Sequence, residues 1–279
     1  GFVVVVMKWR VALAIFGGHP PFMRLLGVNL TSVLWAILLP VPFGDELYRS
    51  GRLAALGIKA PTFVRAAIVD RFVTLLGVAF IGLLAAFLQA HDKATSLMII
   101  VLALVAFALL LGYGLIRYAN SGHGLFIARW RILPLARFRR LAAWGTWLRD
   151  RPRDAGLLIA LALLGQLVFA WSFSIWANGF GVPLTVAQSA WALSASVFAS
   201  LALPIPGLGM VVQQGTLVYV LVRMGATPDQ AATVTLCSLA LTLVLGGSGT
   251  VIEGFAAFSA RRSRTDRELT ANDPLADAS

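Results

Sequence analysis

The sequence predicts an all-α, polytopic helical membrane protein, and three features of its composition lead to this fold class. Of the 279 residues, 59% are hydrophobic and only 13% are charged, whereas soluble domains carry about 25% charged residues. The apolar residues form blocks long enough for membrane helices. The basic residues, which give a net charge of +11, lie between these blocks, as the positive-inside rule expects. This placement indicates membrane topology, so we expect no nucleic-acid partner.

Residue types that carry redox or metal chemistry are sparse. The one cysteine, Cys237, lies in an apolar run, and the three histidines are far apart at His19, His91 and His123. Neither a disulfide nor a metal site is expected from such spacing. The sequence also has no GxxxxGK[ST] phosphate loop, so we predict no ATP-driven step and no cofactor.

The apolar blocks predict the helices in chain order. The chain opens at Gly1 inside an apolar stretch without an initiator Met, so we expect a truncated N-terminus. The first helix is predicted to end at the membrane interface, at Lys8, Trp9 and Arg10. At 1.5 Å per residue, about 20 residues cross the hydrocarbon core. The later apolar runs cover 25–39, 66–88, 97–116, 156–178, 187–203, a short run ending at Met224, and 231–258.

Two basic segments set the predicted orientation. Residues 117–155 contain nine arginines against two aspartates, so we predict that this loop is cytoplasmic. Its mixture of tryptophans and arginines is typical of a surface-lying segment, either a plain connector or a sensor of lipid headgroups. Residues 259–279 are polar and include four arginines, which predicts a disordered cytoplasmic tail after a single membrane domain at 1–258.

Two similar strings indicate an internal repeat. LPVP at 39–42 is followed by Gly44, and LPIP at 203–206 is followed by Gly207. Each proline of the first string lies 164 positions before its counterpart in the second string. A short apolar run, a glycine, a proline and a long helix follow each string. We predict repeat one at about 25–116 and repeat two at about 187–258. The predicted breaks comprise Pro40, Pro42, Gly44, Pro204, Pro206, Gly207 and Gly209.

The charge pattern also predicts how the two repeats are oriented. Because the basic loop and the basic tail share one side, the segments between them cross the membrane an even number of times. The block 187–224 then forms a hairpin too short for two full spans, so we predict that it re-enters from outside. The hairpin at 25–56 enters from the cytoplasm by the same count, which makes the repeats inverted around a polar cavity. The other interpretation is that the prolines kink two spanning helices.

Charged residues around the first break form the candidate site. One charge in a membrane helix costs roughly 2.5–3.5 kcal/mol, so these side chains need partners or water. If 44–56 is helical, Asp45 shares a face with Arg49 and Arg52, which places a carboxylate between two guanidiniums. Such guanidiniums suit a phosphate, although solvated anchors at the cytoplasmic mouth have the same pattern. The six residues are Asp45, Glu46, Arg49, Arg52, Asp70 and Arg71.

The second repeat contributes neutral polar groups to the same site. Gln213 and Gln214 follow the second break, and they can form hydrogen bonds but carry no charge. Glu253 is the remaining acid of the predicted membrane segments. We expect it either to pair with Arg71 or Arg49 or to lie at the interface.

The strings LPVPFGDELYR, AAIVDRF and LPIPGLG resemble, in this order, the lysylphosphatidylglycerol synthase transmembrane-region family over nearly the whole chain. This family includes the flippase domain of bacterial aminoacyl-phosphatidylglycerol resistance proteins. The resemblance implies lipid translocation between the leaflets of a bacterial cytoplasmic membrane. Gln213 and Gln214 stand where the family pattern has Arg-Glu. The residues that match its motifs are Gly44, Asp45, Arg49, Asp70, Arg71, Pro204, Pro206, Gly207 and Gly209.

The leading functional hypothesis is a flippase-like protein that binds or translocates an anionic phospholipid or a polyprenyl-phosphate-linked lipid. Arg49, Arg52 and Arg71 would contact the phosphate, with Asp45 and Asp70 positioning them, and movement would be downhill or ion-coupled. One alternative is a membrane subunit that docks a synthase or glycosyltransferase through the basic loop, without transport of its own. Another is a lipid-headgroup transferase with an acid of the first break as its base, but we expect no enzymatic activity.

Overall fold

The computed structural model describes residues 1–38, 44–88, 151–202 and 209–271. Within these ranges the chain forms eight α-helices and no strand, which confirms the all-α prediction. The predicted span at 97–116, the basic loop up to residue 150 and the breaks at 39–43 and 203–208 lie outside the described residues. The helices are α1 (Phe2–Ile15), α2 (Phe22–Leu38), α3 (Gly44–Ala55), α4 (Ala60–Leu88), α5 (Pro152–Gly179), α6 (Val186–Ala202), α7 (Gly209–Arg223) and α8 (Pro228–Ala271).

Three of the described helices are long and apolar enough to cross a membrane. They are α4, α5 and the Pro228–Phe255 part of α8, with 29, 28 and 28 residues and mean hydropathies of 2.2, 2.0 and 1.7. Each is longer than the roughly 20 residues that hydrocarbon requires. Large apolar side chains such as Phe87, Trp171 and Phe255 are exposed on these helices. Exposure of this kind is expected where a helix faces lipid instead of water.

Three boundaries differ from those that the sequence predicts. Helix α4 begins at Ala60, before the predicted run at 66–88, so Arg65 lies inside the helix. Helix α5 begins at Pro152, because proline fits the first helical position, and the end of the predicted loop 117–155 is therefore helical. Helix α8 continues to Ala271, into the segment 259–279 that we expected to be disordered. The alanine, arginine and glutamate residues there are strong helix formers.

The turns after α3 and α7 have the same local structure. Gly57 and Gly225 have positive φ angles of 82° and 100°, which glycine adopts without a steric cost. In both turns the amide of the next residue donates to a carbonyl five positions earlier, as in a Schellman motif. The downstream halves of the two predicted repeats therefore share a short helix, a left-handed glycine and a long helix.

Two pairs of short helices flank the undescribed breaks. Helix α2 packs against α3, and α6 packs against α7. With 17, 12, 17 and 15 residues, each helix is shorter than the roughly 20 residues of a full span. These lengths suit the predicted hairpins. Their re-entrant insertion and their opposite orientation stay predictions.

Apolar packing holds α3 beside α1 and α4, which also carry charged residues. Helix α1 packs against α2, α4 and α5, and the ring of Trp9 stacks on that of Phe63 with centroids 5.8 Å apart. Leu13 and Leu53 are fully buried in the same cluster, which joins α1, α3 and α4. A second apolar cluster joins α5, α6, α7 and α8. The first cluster holds the charged face of α3 against α1 and α4.

Candidate functional site

A polar cavity of about 280 Å³ lies among the helices, and charged residues line it. Among the described residues, α1, α3 and α4 contribute the charged side chains of its wall, while α5 and α7 contribute Gln166 and Gln213, and α6 contributes apolar residues. The rest of the wall is mainly aliphatic and aromatic. The charged residues that line it are Lys8, Asp45, Arg49, Asp70 and Arg71.

Three neighbouring side chains contact Arg49, which lies on α3. Its guanidinium lies 3.1 Å from the Asp45 carboxylate, one helical turn earlier, so the predicted pair is confirmed. Its Nε donates to the Ser32 hydroxyl on α2 at 2.8 Å, and its guanidinium lies 5.1 Å from the centre of the Trp9 ring. Only 12% of the side chain is exposed. Arg49 is therefore a fixed positive group at the cavity wall.

Arg71 joins the start of α3 to α4. Its guanidinium lies 2.9 Å from the Asp45 carboxylate and 2.6 Å from that of Glu46. Both acids lie in the first turn of α3, where the helix dipole favours negative charge. Asp45 is thus flanked by two guanidiniums, as predicted, but the second one belongs to Arg71. The prediction that Arg52 flanks Asp45 was wrong.

Arg52 and Glu253 form a separate contact between α3 and α8. Their charged atoms lie 2.6 Å apart, and the Tyr48 hydroxyl donates to the same Glu253 oxygen at 2.7 Å. The Tyr48 ring stacks on Trp35 of α2 with centroids 5.6 Å apart. The predicted pairing of Glu253 with Arg71 or Arg49 was therefore wrong. This group lies beside the cavity and does not line it.

Glu253→Gln is expected to lower the free energy of unfolding by about 1 kcal/mol. Glutamine still accepts the Tyr48 hydrogen bond, so the loss is mainly that of the ion pair with Arg52, whose side chain is 46% exposed. An unfolding titration in mixed micelles measures the loss. Asp229→Asn, at an exposed acid in the first turn of the same helix, is the control. Equal losses in the two variants would show that the Glu253 pair does not stabilise the fold.

Lys8 is a site residue that the sequence reasoning missed. Its ammonium lies 3.1 Å from the Asp70 carboxylate and donates to the Thr74 hydroxyl on α4. The side chains of Lys8 and Asp70 are only 7% and 8% exposed. The prediction of an interfacial helix end at Lys8, Trp9 and Arg10 was wrong, because α1 continues to Ile15. The available signal was an isolated cation within an apolar helix, which requires a partner.

The neutral pair of the second repeat divides between two environments. Gln213 lines the cavity, while Gln214 does not. The Gln214 side-chain oxygen is buried, and no hydrogen-bond partner for it occurs in the described part of the chain. Of the predicted breaks, Gly44 and Gly209 are described, and they begin α3 and α7. The prolines and Gly207 lie outside the described residues.

Comparisons with known proteins place the chain in a family. Comparison with curated proteins gives no match, and comparison with solved structures gives none either. A family model described as the lysylphosphatidylglycerol synthase TM region matches residues 1–247, which include the described charged residues of the cavity wall. With the three apolar helices, this match makes the chain an integral membrane protein connected with lipid metabolism. The chain belongs to the lysylphosphatidylglycerol synthase transmembrane-region family.

Proposed function

We propose that the chain is a flippase-like protein that binds an anionic lipid in the polar cavity and moves it between the leaflets of a bacterial cytoplasmic membrane. The observation that carries this proposal is the pair of guanidiniums, Arg49 and Arg71, that share the Asp45 carboxylate on the cavity wall. Planar guanidiniums bind phosphate oxygens through paired hydrogen bonds. The site therefore suits a lipid phosphate, in a phospholipid or in a polyprenyl-phosphate-linked lipid.

The two arginines have different roles in this proposal. Arg49 is nearly buried and is held by Ser32 and Trp9, so it offers a fixed anchor. The Arg71 side chain is 50% exposed, so it can turn from its carboxylates towards an entering phosphate. Exchange of a carboxylate for a phosphate keeps the guanidinium paired, so that no cation is left unpaired in a low dielectric. Arg52 has no part in this exchange, because it contacts Glu253 outside the cavity.

The two helix pairs supply the architecture for movement. We propose that α2–α3 and α6–α7 are re-entrant hairpins of opposite orientation, with the loop 117–155 and the tail in the cytoplasm. Their short helices and their matching glycine turns support this arrangement. Inverted repeats with broken helices meet near the midplane in many transporters, and one repeat rocks against the other. The cavity between α3 and α7 would then face each leaflet in turn.

A proteoliposome assay tests the proposed transport. Vesicles contain the purified protein and a trace of fluorescent phosphatidylglycerol, and a membrane-impermeant quencher reports the fraction in the outer leaflet. We expect the wild type to exchange the lipid and Arg49→Lys to slow it by about tenfold, because lysine lacks the fork that pairs with phosphate oxygens.

The matched control is Arg24→Lys, the same substitution at an exposed position on α2. This variant is expected to exchange lipid as fast as the wild type. Wild-type exchange no faster than in protein-free vesicles would contradict transport. Equal rates for Arg49→Lys and Arg24→Lys would contradict the assigned phosphate site.

A further inference from the structure

The charges of the described site sum to zero. Its four cations each contact an acid, and its four acids each contact a cation, at distances of 2.6–3.1 Å. An anionic lipid that enters this neutral cluster adds one negative charge without a partner. Such a charge is expensive away from water unless a cation or a proton accompanies it. The residues are Lys8, Arg49, Arg52 and Arg71 with Asp45, Glu46, Asp70 and Glu253.

The structure distinguishes Asp70 from the other three acids. Asp45 contacts two guanidiniums, and Glu253 contacts both an arginine and a tyrosine hydroxyl. Glu46 contacts one cation, Arg71, but it does not line the cavity. Asp70 contacts one cation, the ammonium of Lys8, and both side chains line the cavity. A lysine ammonium is a compact charge on a flexible stem, so it can turn to a phosphate. Asp70 would then keep no cation within ion-pair distance.

Among the described residues that line the cavity, no other cation can take the place of Lys8. Arg49 on α3 and Arg71 on α4 face the same cavity, but both are engaged with Asp45 or would bind the phosphate. Helices α5 and α7 present uncharged Gln166 and Gln213, and α6 presents apolar side chains. A proton from water is therefore the available positive charge for Asp70.

We propose that Asp70 takes up one proton when the anionic lipid binds and releases it when the lipid leaves, so that the Lys8–Asp70 pair couples lipid movement to protons. The inference rests on the proposed lipid site. Lys8 stays protonated and exchanges the Asp70 carboxylate for the phosphate, while a proton from water forms an O–H bond on Asp70. No bond of the lipid changes. Lipid anion and proton enter the site together, and the cluster remains neutral.

Binding must then depend on pH with a defined sign. Since the occupied form holds more protons than the empty form, the affinity falls as the pH rises. The dissociation constant should increase by about tenfold per pH unit over the range in which the proton is taken up. A headgroup held by permanent charges alone would show no such slope.

Proton uptake during lipid binding provides the test. The purified protein in weakly buffered detergent is titrated with dihexanoylphosphatidylglycerol, whose phosphodiester stays singly charged, and an indicator dye records the protons. We expect about one proton per bound lipid for the wild type. Asp154→Asn, the same substitution at a half-exposed acid near the start of α5, is expected to behave like the wild type.

Two variants assign the proton to Asp70. Asp70→Asn is expected to bind lipid without proton uptake and with an affinity independent of pH. Since this change leaves Lys8 buried without its acid, Lys8→Met/Asp70→Asn provides a charge-balanced second variant, expected to bind about tenfold more weakly, again without uptake. Binding by the wild type without proton uptake overturns this inference alone. Proton uptake that persists in both variants also overturns this inference. A wild type that binds no lipid overturns the proposed lipid site as well.

Discussion

Gly249→Ala is expected to lower the free energy of unfolding by about 2 kcal/mol, although alanine is a better helix former than glycine. A Cβ atom at this position on α8 would lie 2.4 Å from the backbone nitrogen of Thr31 and 2.6 Å from the Cβ of Leu30 on α2. Backbone atoms cannot move aside as a flexible side chain can. The two helices must separate, and the close packing that small residues allow between membrane helices is lost.

Gly247→Ala is the matched control for this prediction. It lies two positions earlier on the same helix, and a Cβ there meets no atom of the described residues within 4 Å. Helix propensity alone then applies, and we expect this variant to gain up to about 1 kcal/mol. Unfolding titrations of both variants in mixed micelles give the comparison. Equal stability of the two variants would show that α2 and α8 do not pack through Gly249.

The elements of the fold were largely predictable from the sequence because the length of an apolar block sets the length of a membrane helix. The runs at 66–88, 156–178 and 231–258 correspond to α4, α5 and the apolar part of α8. The boundaries were less predictable, because capping and helix propensity decide them. Proline at the first helical position extends α5 back to Pro152, and good helix formers carry α8 on to Ala271.

Pairing within one helix was predictable, but pairing between helices was not. The spacing of four residues gave the Asp45–Arg49 pair, since helical geometry alone places these side chains together. The same geometry put Arg52 on a similar face, yet the second guanidinium at Asp45 comes from Arg71 on another helix. Which helices become neighbours depends on the packing of their apolar faces, and periodicity within one helix carries no information about its neighbour.

Lys8 is a second case in which the sequence could not identify a partner on another helix. The neighbouring Trp9 and Arg10 gave it the pattern of a membrane interface, and nothing near it in sequence indicates an acid. Its partner Asp70 lies on α4 and reaches it only because α1 packs beside α4. A buried acid within an apolar helix did indicate that a cation was needed. The sequence could therefore require a partner for Asp70 without identifying it.

Lys8→Met is expected to lower the free energy of unfolding by about 3 kcal/mol at neutral pH, because it leaves the buried Asp70 carboxylate without its cation. Lys8→Met/Asp70→Asn removes the carboxylate as well and should recover more than half of this loss, since replacement of both charges leaves none unpaired. Unfolding titrations of the wild type, both single variants and the double variant give the coupling energy of the pair. A double variant that loses the sum of the single losses would show that the two side chains do not interact.

The loss of unfolding free energy in Lys8→Met should depend on pH, and this dependence tests the proposed proton site. A proton on Asp70 can replace the missing ammonium, so the loss should shrink as the pH is lowered, because protonation neutralises the folded form of this variant. The double variant has no acid at this position, and its loss should not change with pH. The same titrations, repeated from neutral to acidic pH, measure both trends. A Lys8→Met loss that is constant with pH would mean that protons do not reach Asp70, and the coupling of lipid movement to protons would then have no physical basis at this pair.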